Sequence, residues 1–373
     1  MKILFINQTL GLGGAESFNR DLLSGLINKS VSVTAFTNYH PFLDMLIQSG
    51  VPAYSIPYVV DIIGNWKGLV KALIYTPLLF WRYWQIITRN SNADLVVVTG
   101  FIEKILVSPL CYLYRRKIIW IEYAPLGPIL NKFFGFPKRL YLWALRFPCR
   151  VIFPSRHSAD LNRGIFKYYH GPTEVILLSS PIPPSKYLCQ SPKHFLAVCV
   201  SRLEPGKGQD LLIRSWNKVI TQVPNAKLNI IGEGDFLDQL QQLTKKLHLT
   251  SSVKFLGRAD DALMHIARSS FIIFPSVWSL EGFGLTVTES MSVARPVIAF
   301  NKGPTSEIIN NQSGILVRVG DVDELATAIV RLFSSPQLTQ RLGNFARRQY
   351  LQKFTPDICI PKFITAFARC LQP

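Results

Sequence analysis

The sequence has few of the features that mark secreted, metal-binding or membrane-spanning proteins. Its six cysteines show no close pair of metal-ligand spacing, so we expect free thiols in a reducing compartment. No run reaches the roughly 18 apolar residues that span a bilayer, and the apolar segment Ala72–Trp81 is too short and is bounded by Lys71 and Arg82. The apolar run Ile3–Ile6 stops at Asn7, so we expect no signal peptide. These absences argue against a disulfide scaffold, a zinc module and an integral membrane protein.

Acidic residues are also scarce. The 373 residues include 41 Lys and Arg against 23 Asp and Glu, a net charge of +18. Residues 1–190 carry 20 basic and 9 acidic side chains, so the first half holds most of the excess. Such a balance favours a polyanionic partner, which leaves nucleic acid, an anionic membrane surface and phosphorylated substrates as candidates.

Short apolar runs alternate with amphipathic, helix-like segments along the whole chain. This alternation predicts βαβ units with parallel sheets, because parallel strands need a crossover connection. The predicted strands are Lys2–Asn7, Val31–Thr37, Leu95–Thr99, Lys117–Ile121, Val151–Pro154, Phe195–Ser201, Lys227–Ile231, Val253–Leu256, Phe271–Phe274 and Pro296–Phe300. The predicted fold class is α/β, with two Rossmann-like, doubly wound parallel-sheet domains.

A proline-rich segment, Ser179–Pro192, interrupts the alternation and predicts a linker. We therefore expect an N-terminal domain over 1–188 and a C-terminal domain over 189–352. Residues 353–373 are predicted to form a helix that crosses back to the first domain. Since open parallel sheets bind ligands at the carboxyl ends of their strands, we expect a site in a cleft between the domains.

The first glycine-rich turn follows the first strand and contains Gly11, Gly13 and Gly14. Glycines at this point let backbone N–H groups approach an anion at the N-terminus of the next helix. The turn is similar to a dinucleotide fingerprint, but Glu16 stands where the third glycine belongs. No acidic residue ends the next strand, which runs into Thr37. The turn therefore allows two alternatives. One is the dinucleotide site of an NAD(P) oxidoreductase, against which both Glu16 and the missing acidic residue count. The other is a tight turn with no ligand.

A second turn, residues 201–208, follows the first strand of the second domain. It places Arg202 and Lys207 beside a glycine but lacks P-loop spacing. A guanidinium fork and a point charge suit a diphosphate. The alternative is that both are solvated surface cations.

Two glutamates eight positions apart, Glu281 and Glu289, follow another predicted strand. Helix-like sequence begins near Gly284, so the amides of Phe283, Gly284 and Leu285 would form an N-terminal donor set suited to phosphate. A carboxylate accepts two hydrogen bonds at once, so one glutamate could bind a sugar and the other a ribose.

These motifs, in this order, resemble the GT-B retaining glycosyltransferases of family 4. The resemblance covers roughly residues 195–335 and, more loosely, Gly13–Glu16. The matching segments are Ser201–Leu203, Lys207–Gly208, Gly232–Gly234, Val253–Gly257, Glu281–Glu289, Ala294–Ala299, Glu307–Ile309, Gly314–Val317 and Gly320–Asp321.

The resemblance implies a nucleotide-sugar donor held mainly by the second domain, and transfer that retains the anomeric configuration. It places Arg202 and Lys207 at the diphosphate, Glu289 at the ribose and Glu281 at the sugar. The implied donor-binding residues are Gly13, Gly14, Arg202, Lys207, Leu256, Arg258, Glu281, Phe283, Gly284, Leu285 and Glu289. The resemblance implies Arg202, Lys207 and Glu281 as catalytic residues, and Glu122 of the acceptor-binding first domain is a further catalytic candidate.

The resemblance also implies that no metal or other cofactor is needed. Asp321 and Asp323 form a D-x-D pattern, which is a metal signature in another glycosyltransferase fold. Because Glu324 and an apolar helical pattern follow directly, we interpret Asp321 as a helix cap.

Glu122 marks a departure from the family pattern, since relatives often carry a histidine near this strand end. A carboxylate here could orient the acceptor hydroxyl or take its proton. The alternative is that Glu122 pairs with a nearby cation.

Three stretches of the first domain interleave aromatic and basic residues: Tyr75–Trp84, Tyr112–Lys117 and Lys132–Trp143. Such sequences are typical of anionic membrane surfaces, with core aromatics beside solvated cations as the alternative. No nucleic-acid-binding module is visible, so we expect no nucleic acid partner. Docking on a membrane would make a lipid-linked acceptor the natural substrate.

The sequence therefore predicts a peripheral enzyme on the cytoplasmic face of a membrane. It would transfer a sugar from a nucleoside-diphosphate sugar to a lipid-linked or polysaccharide acceptor. Two alternatives stay open: a GT-B sugar-nucleotide epimerase, and a catalytically silent, membrane-docking subunit.

Overall fold

A computed structural model describes residues 1–57, 66–123, 126–131, 135–190, 192–193 and 195–372. The chain divides into two compact units. Unit 1 comprises Met1–Leu178 and Pro356–Pro373, and unit 2 comprises Ser179–Thr355. The sequence placed these divisions at 188/189 and 352/353.

Unit 1 is built on a parallel sheet with the order β3-β2-β1-β4-β5-β6-β7 in the described residues. The central strands are short apolar runs buried on both faces, as expected for parallel strands covered by helices. The strands are β1 Lys2–Asn7, β2 Ser32–Thr37, β3 Ala53–Ser55, β4 Leu95–Val98, β5 Lys117–Ile121, β6 Arg150–Phe153 and β7 Thr173–Val175. The strand order reverses between β1 and β4, which makes their carboxyl ends the topological switch point.

Helices flank this sheet, and the last helix of the chain belongs to unit 1. The helices are α1 Gly14–Asn28, α2 His40–Gln48, α3 Trp66–Arg89, α4 Phe101–Leu113, α5 Gly127–Leu130, α6 Phe136–Ala144, α7 Arg156–Phe166 and α16 Pro356–Leu371. The C-terminal helix α16 packs on α1, where the rings of Phe18 and Phe363 lie 5.6 Å apart. On another part of the sheet, α3 packs on α4 and α4 packs on α6.

Unit 2 repeats the pattern with a parallel sheet of order β10-β9-β8-β11-β12-β13. Its strands are β8 Leu196–Val200, β9 Lys227–Ile231, β10 Val253–Phe255, β11 Phe271–Phe274, β12 Val297–Phe300 and β13 Gly314–Val317. Its helices are α8 Ser185–Leu188, α9 Gln209–Gln222, α10 Leu237–Lys246, α11 Ala262–Arg268, α12 Leu285–Ser292, α13 Thr305–Ile308, α14 Val322–Ser334 and α15 Pro336–Lys353. The switch point lies between β8 and β11.

The prediction of two doubly wound, parallel-sheet α/β domains is thus confirmed. Among the residues with a described position, we find no helix whose length and apolar character would carry it across a bilayer.

Candidate functional site

The switch point of unit 2 carries a charged pair that the sequence separates by 74 positions. Lys207 lies in the loop after β8, and Glu281 lies in the loop after β11. Lys207 Nζ is 2.8 Å from Glu281 Oε2, and both side chains are mostly buried, at 11% and 17% exposure. The structure therefore brings together a cation and a carboxylate where an open parallel sheet binds its ligands.

Two further side chains complete this pair, and the sequence analysis did not identify them. The ammonium group of Lys207 lies 5.5 Å from the centre of the Trp278 ring, a cation–π contact. The hydroxyl of Ser276 donates to Glu281 Oε2 at 3.3 Å. The sequence signal that could have identified Ser276 and Trp278 is their position directly after the buried strand β11. These contacts hold Lys207 and Glu281 in fixed positions before any ligand binds.

The loop of Lys207 lies so close to the loop after β11 that one position requires glycine. Gly208 has a φ of +75°, and a Cβ there would overlap the carbonyl oxygen of Pro275. The N–H of Val277 donates to the carbonyl of Gly206 at 2.8 Å, which ties the two loops together. This approach brings Lys207 within reach of Glu281.

The helix that follows Glu281 begins where the sequence predicts. Gly284 is the N-cap of α12 with a φ of +90°, and Leu285 is its first residue. The ring of Phe283 is buried and packs edge-to-face on Phe354, so it fixes the loop from inside. Glu289 is half-buried within α12.

The remaining candidates of unit 2 follow neighbouring strands at the same edge of the sheet. Arg202 is 60% exposed and pairs with Glu204 at 2.6 Å. Leu256 and Arg258 follow β10 and are exposed. The carbonyl of Gly257 accepts from Gly232 in the next loop at 2.8 Å. Parallel strands of one sheet place all these loops on one side of unit 2, around Lys207 and Glu281.

In unit 1, the glycine-rich turn leads directly into α1. Gly13 is the N-cap and Gly14 is the first helical residue. The carboxylate of Glu16 accepts from the backbone N–H of Gly13 at 2.9 Å. Glu16 therefore replaces the third glycine of a dinucleotide fingerprint with a capping interaction.

Glu122 lies at the end of β5 and is 2% exposed. Its Oε1 is 2.6 Å from Lys104 Nζ and accepts a hydrogen bond from the Tyr141 hydroxyl. Lys104 also donates to the carbonyl of Ile121 at 2.9 Å. Of the two roles that the sequence left open for Glu122, the structure shows the ion pair, and the pair lies in the core.

A second buried carboxylate, Glu103, lies beside this pair and was missed by the sequence analysis. It accepts a hydrogen bond from the backbone N–H of Gln8, in the loop after β1. A Cβ on Gly100 would overlap the Glu103 carboxylate, so glycine makes room for it. Burial raises the pKa of Glu103 to about 7. The sequence signal that could have identified Glu103 is a charged Glu-Lys pair within an otherwise apolar helix, directly after β4.

We expect the stability of unit 1 to fall as the pH rises from 5 to 8. The folded protein keeps a proton on Glu103 up to pH about 7, whereas the unfolded chain releases it near the ordinary glutamate pKa of 4.5. Stability from this group is therefore complete at low pH and is lost as the pH rises through the folded pKa. Amide hydrogen exchange of β4 and β5 measures it. The Glu103→Gln variant should reduce this loss by about 2 kcal/mol, and an identical pH profile in the variant would contradict the assignment.

The D-x-D pattern forms a helix cap, as the sequence predicts. Asp321 accepts from the backbone N–H groups of Asp323 and Glu324 at 3.0 and 2.9 Å, at the start of α14. Those hydrogen bonds, led by the one from Glu324, lower the pKa of Asp321. Asp323 pairs with Lys218 on the surface. The two carboxylates thus have structural partners.

A comparison with protein families finds one matching model, described as glycosyl transferases group 1, over residues 190–349. The match covers most of unit 2, including all the loops that surround Lys207 and Glu281.

Curated relatives match over part of the chain. A GDP-mannose-dependent monoacylated alpha-(1-6)-phosphatidylinositol monomannoside mannosyltransferase of Corynebacterium glutamicum is 32% identical over 156 residues, 40% of each chain. An N-acetyl-alpha-D-glucosaminyl L-malate synthase of Bacillus anthracis is 27% identical over 173 residues, 46% of this chain and 45% of the relative. The match spans less than half the length of each of these relatives.

Solved structures match over the whole chain. Anabaena HepE in a complex with UDP superimposes with a TM-score of 0.81 at 22% identity, over 99% of this chain and 100% of that one. The family-model match to the glycosyl transferases of group 1 thus lies in unit 2, and the chain as a whole has the GT-B fold of two Rossmann-like domains.

Proposed function

We propose that this protein is a retaining glycosyltransferase that moves a sugar from a nucleoside-diphosphate sugar to a lipid-linked or polysaccharide acceptor. The observation that carries this proposal is the Lys207–Glu281 pair at the switch point of unit 2, within the segment that matches group 1 glycosyltransferases. The transfer is proposed to need no metal or other cofactor.

The donor is proposed to replace one ion pair with two interactions. In the free protein, Lys207 and Glu281 neutralise each other at 2.8 Å. A diphosphate that binds Lys207 would release Glu281 to accept hydrogen bonds from sugar hydroxyls. Exposed Arg202 would join Lys207 at the diphosphate, and Glu289 would bind the ribose. Gly13 and Gly14, at the start of α1, are also proposed to bind the donor.

The charges suit the direction of the reaction. The bond between the anomeric carbon and the diphosphate breaks, the acceptor oxygen bonds to that carbon, and the acceptor hydroxyl loses its proton. Negative charge therefore grows on the departing diphosphate. Lys207, Arg202 and the backbone N–H groups at the start of α12 would stabilise this charge more strongly in the transition state than in the ground state.

The names of the relatives support a nucleoside-diphosphate donor without fixing its base. The Corynebacterium relative is named for GDP-mannose, and Anabaena HepE was crystallised with UDP. For the acceptor side, we propose no proton transfer by Glu122, since Lys104 and Tyr141 hold its carboxylate in the core.

We expect one of UDP, GDP or ADP to raise the melting temperature of the purified protein, equally with EDTA and with magnesium. A ligand that binds only the folded state at a hundredfold excess over its Kd contributes about 2.7 kcal/mol of stability. The measurement is a thermal-shift screen that includes NAD(P), and the responding nucleotide identifies the base.

Several results would contradict the proposal. A shift with NAD(P) alone would identify an oxidoreductase. Donor binding with conversion of the free sugar nucleotide would identify an epimerase. A magnesium requirement would exclude metal-independent transfer. Donor binding without any turnover on lipid-linked or glycan acceptors would identify a catalytically silent subunit.

A further inference from the structure

The long helix α3 is apolar on two opposite sides. One side is buried against the sheet through Ala72, Leu79, Tyr83 and Ile86. The other carries an exposed stripe with the spacing of one helical face. This stripe consists of Val70, Ile74, Leu78, Trp81 and Trp84, whose exposures range from 40% to 63%. A contiguous apolar surface of this kind is typical of an interaction site.

The stripe continues across the neighbouring helices. The indole N–H of Trp84 donates to the Tyr114 hydroxyl at 2.6 Å, which joins α3 to the end of α4. Tyr112 lies 5.4 Å from Phe147, and Phe147 lies 5.3 Å from Trp143 of α6. We call this continuous surface the aromatic face. The aromatic face includes the stretches Tyr75–Trp84 and Tyr112–Lys117 and the described part of the third stretch. Residues 132–134 of that third stretch lie outside the described residues.

The charges of the aromatic face have one sign. Residues 66–89, 112–117 and 135–147 contain no Asp or Glu. Eight basic residues of these stretches have a described side chain: Arg82, Arg89, Arg115, Arg116, Lys117, Lys138, Arg139 and Arg146. In the segment of α4 between these stretches, Glu103 is buried. The described part of this surface is therefore complementary to an anionic partner.

An open pocket of about 640 Å³ lies at the α6 end of the face. Its lining includes Arg139, Arg146, Lys167 and His170, with the rings of Trp143 and Tyr168, and no carboxylate. The ammonium group of Lys167 lies over the Tyr168 ring at 5.0 Å. Guanidinium and ammonium groups around an open, aromatic-lined pocket suit a phosphate headgroup.

We infer that the aromatic face docks on the surface of an anionic phospholipid bilayer, with a lipid phosphate in the Arg139–Arg146 pocket. Tryptophan and tyrosine rings prefer the headgroup depth of a bilayer, and basic residues around them bind anionic lipids. The helix lies in the interface and does not cross it. This inference goes beyond the proposed sugar transfer, because vesicle binding is measured without donor or acceptor.

The test is flotation of the full chain with vesicles of phosphatidylglycerol and phosphatidylcholine, or of phosphatidylcholine alone. The protein should bind the anionic vesicles only, and high salt should release it because screening weakens surface charge. The Ile74→Ser/Trp81→Ser variant should bind at least about 10-fold more weakly. The matched control is Ile47→Ser/Ile358→Ser, which changes two exposed apolar residues of unit 1 on α2 and α16 and should bind like the wild type.

A second pair of variants tests the pocket, and it remains informative if Ile74→Ser/Trp81→Ser fails to fold. Arg139→Gln/Arg146→Gln should weaken binding about 10- to 30-fold, whereas Lys245→Gln/Lys246→Gln removes the same charge from α10 of unit 2 and should have little effect. Equal losses of vesicle binding in the two double variants would show that the pocket contributes only non-specific charge, which would overturn the phosphate site. Equal binding to neutral and anionic vesicles would overturn the inference. So would a protein that binds no vesicles but forms a dimer in light scattering, if Ile74→Ser/Trp81→Ser abolishes that dimer.

Discussion

Replacing Lys104 with methionine should lower the free energy of unfolding of unit 1 by about 3–5 kcal/mol. The substitution keeps the length of the side chain but leaves the Glu122 carboxylate buried without its cation. An ionised group that loses its partner in the core keeps the full cost of desolvation.

The geometry explains the size of this effect. Both side chains of the pair are almost fully buried, at 2% and 3% exposure. Burial lowers the pKa of Lys104, and the carboxylate of Glu122 acts against that shift. The Tyr141 hydroxyl donates to the same oxygen, and burial raises the pKa of that phenol, so it stays neutral. The ammonium of Lys104 is thus the cation that balances Glu122.

The measurement is denaturant unfolding, with hydrogen exchange of β5 to assign the change to unit 1. The double variant Lys104→Met/Glu122→Gln should recover much of the loss, because it removes both charges. The matched control is Lys29→Met, whose exposed pair with Asp357 spans 3.6 Å and should contribute about 1 kcal/mol or less. Equal effects of Lys104→Met and Lys29→Met would show that burial does not govern the pair.

Most of the fold can be predicted from the sequence because buried parallel strands are short, continuous apolar runs. Strands such as β4 and β11 meet this description over their full length. The missed strands are β3, β7 and β13, which lie at the edges of the two sheets and have three or four residues. An edge strand pairs on one side only, so a short segment such as Thr173–Val175 carries little apolar signal.

The site shows a different limit. The sequence places Lys207 and Glu281 each after a strand, but adjacency of β8 and β11 depends on strand order, which periodicity does not contain. The contacts of Trp278 and Ser276 depend on loop geometry in the same way. For Glu122, the sequence does not show where the side chain of Lys104 lies. Lys104 belongs to α4, the helix that precedes β5, and its side chain is buried beside Glu122.

The Lys207→Ala variant should lower kcat/KM for sugar transfer by about 100- to 1,000-fold, on the proposed function. Losing one preorganised donor to a developing negative charge costs roughly 2.7–4 kcal/mol of transition-state stabilisation. The Lys207 ammonium is held by Glu281 at 2.8 Å and by the Trp278 ring at 5.5 Å, so it needs little reorganisation during the reaction.

Kinetics and binding together assign the role of Lys207. If it acts mainly on the departing diphosphate, kcat falls more than the affinity for the nucleoside diphosphate, because the charge to be stabilised grows in the transition state. If it only anchors the donor, KM rises and kcat is kept. Lys207→Arg keeps the charge with a different shape and should recover part of the rate.

Lys218→Ala is the matched control for Lys207→Ala, since it removes a lysine of the same unit that also pairs with a carboxylate, Asp323. That pair lies on the surface, with exposures of 53% and 71%, and away from the switch point. Its loss should leave both kcat and KM unchanged. Full activity in Lys207→Ala, with a melting temperature like that of the wild type, would exclude Lys207 from the reaction. Because the charge of Lys207 is balanced by Glu281 before the donor binds, an unchanged rate would also show that this ion pair serves the fold of the two loops alone.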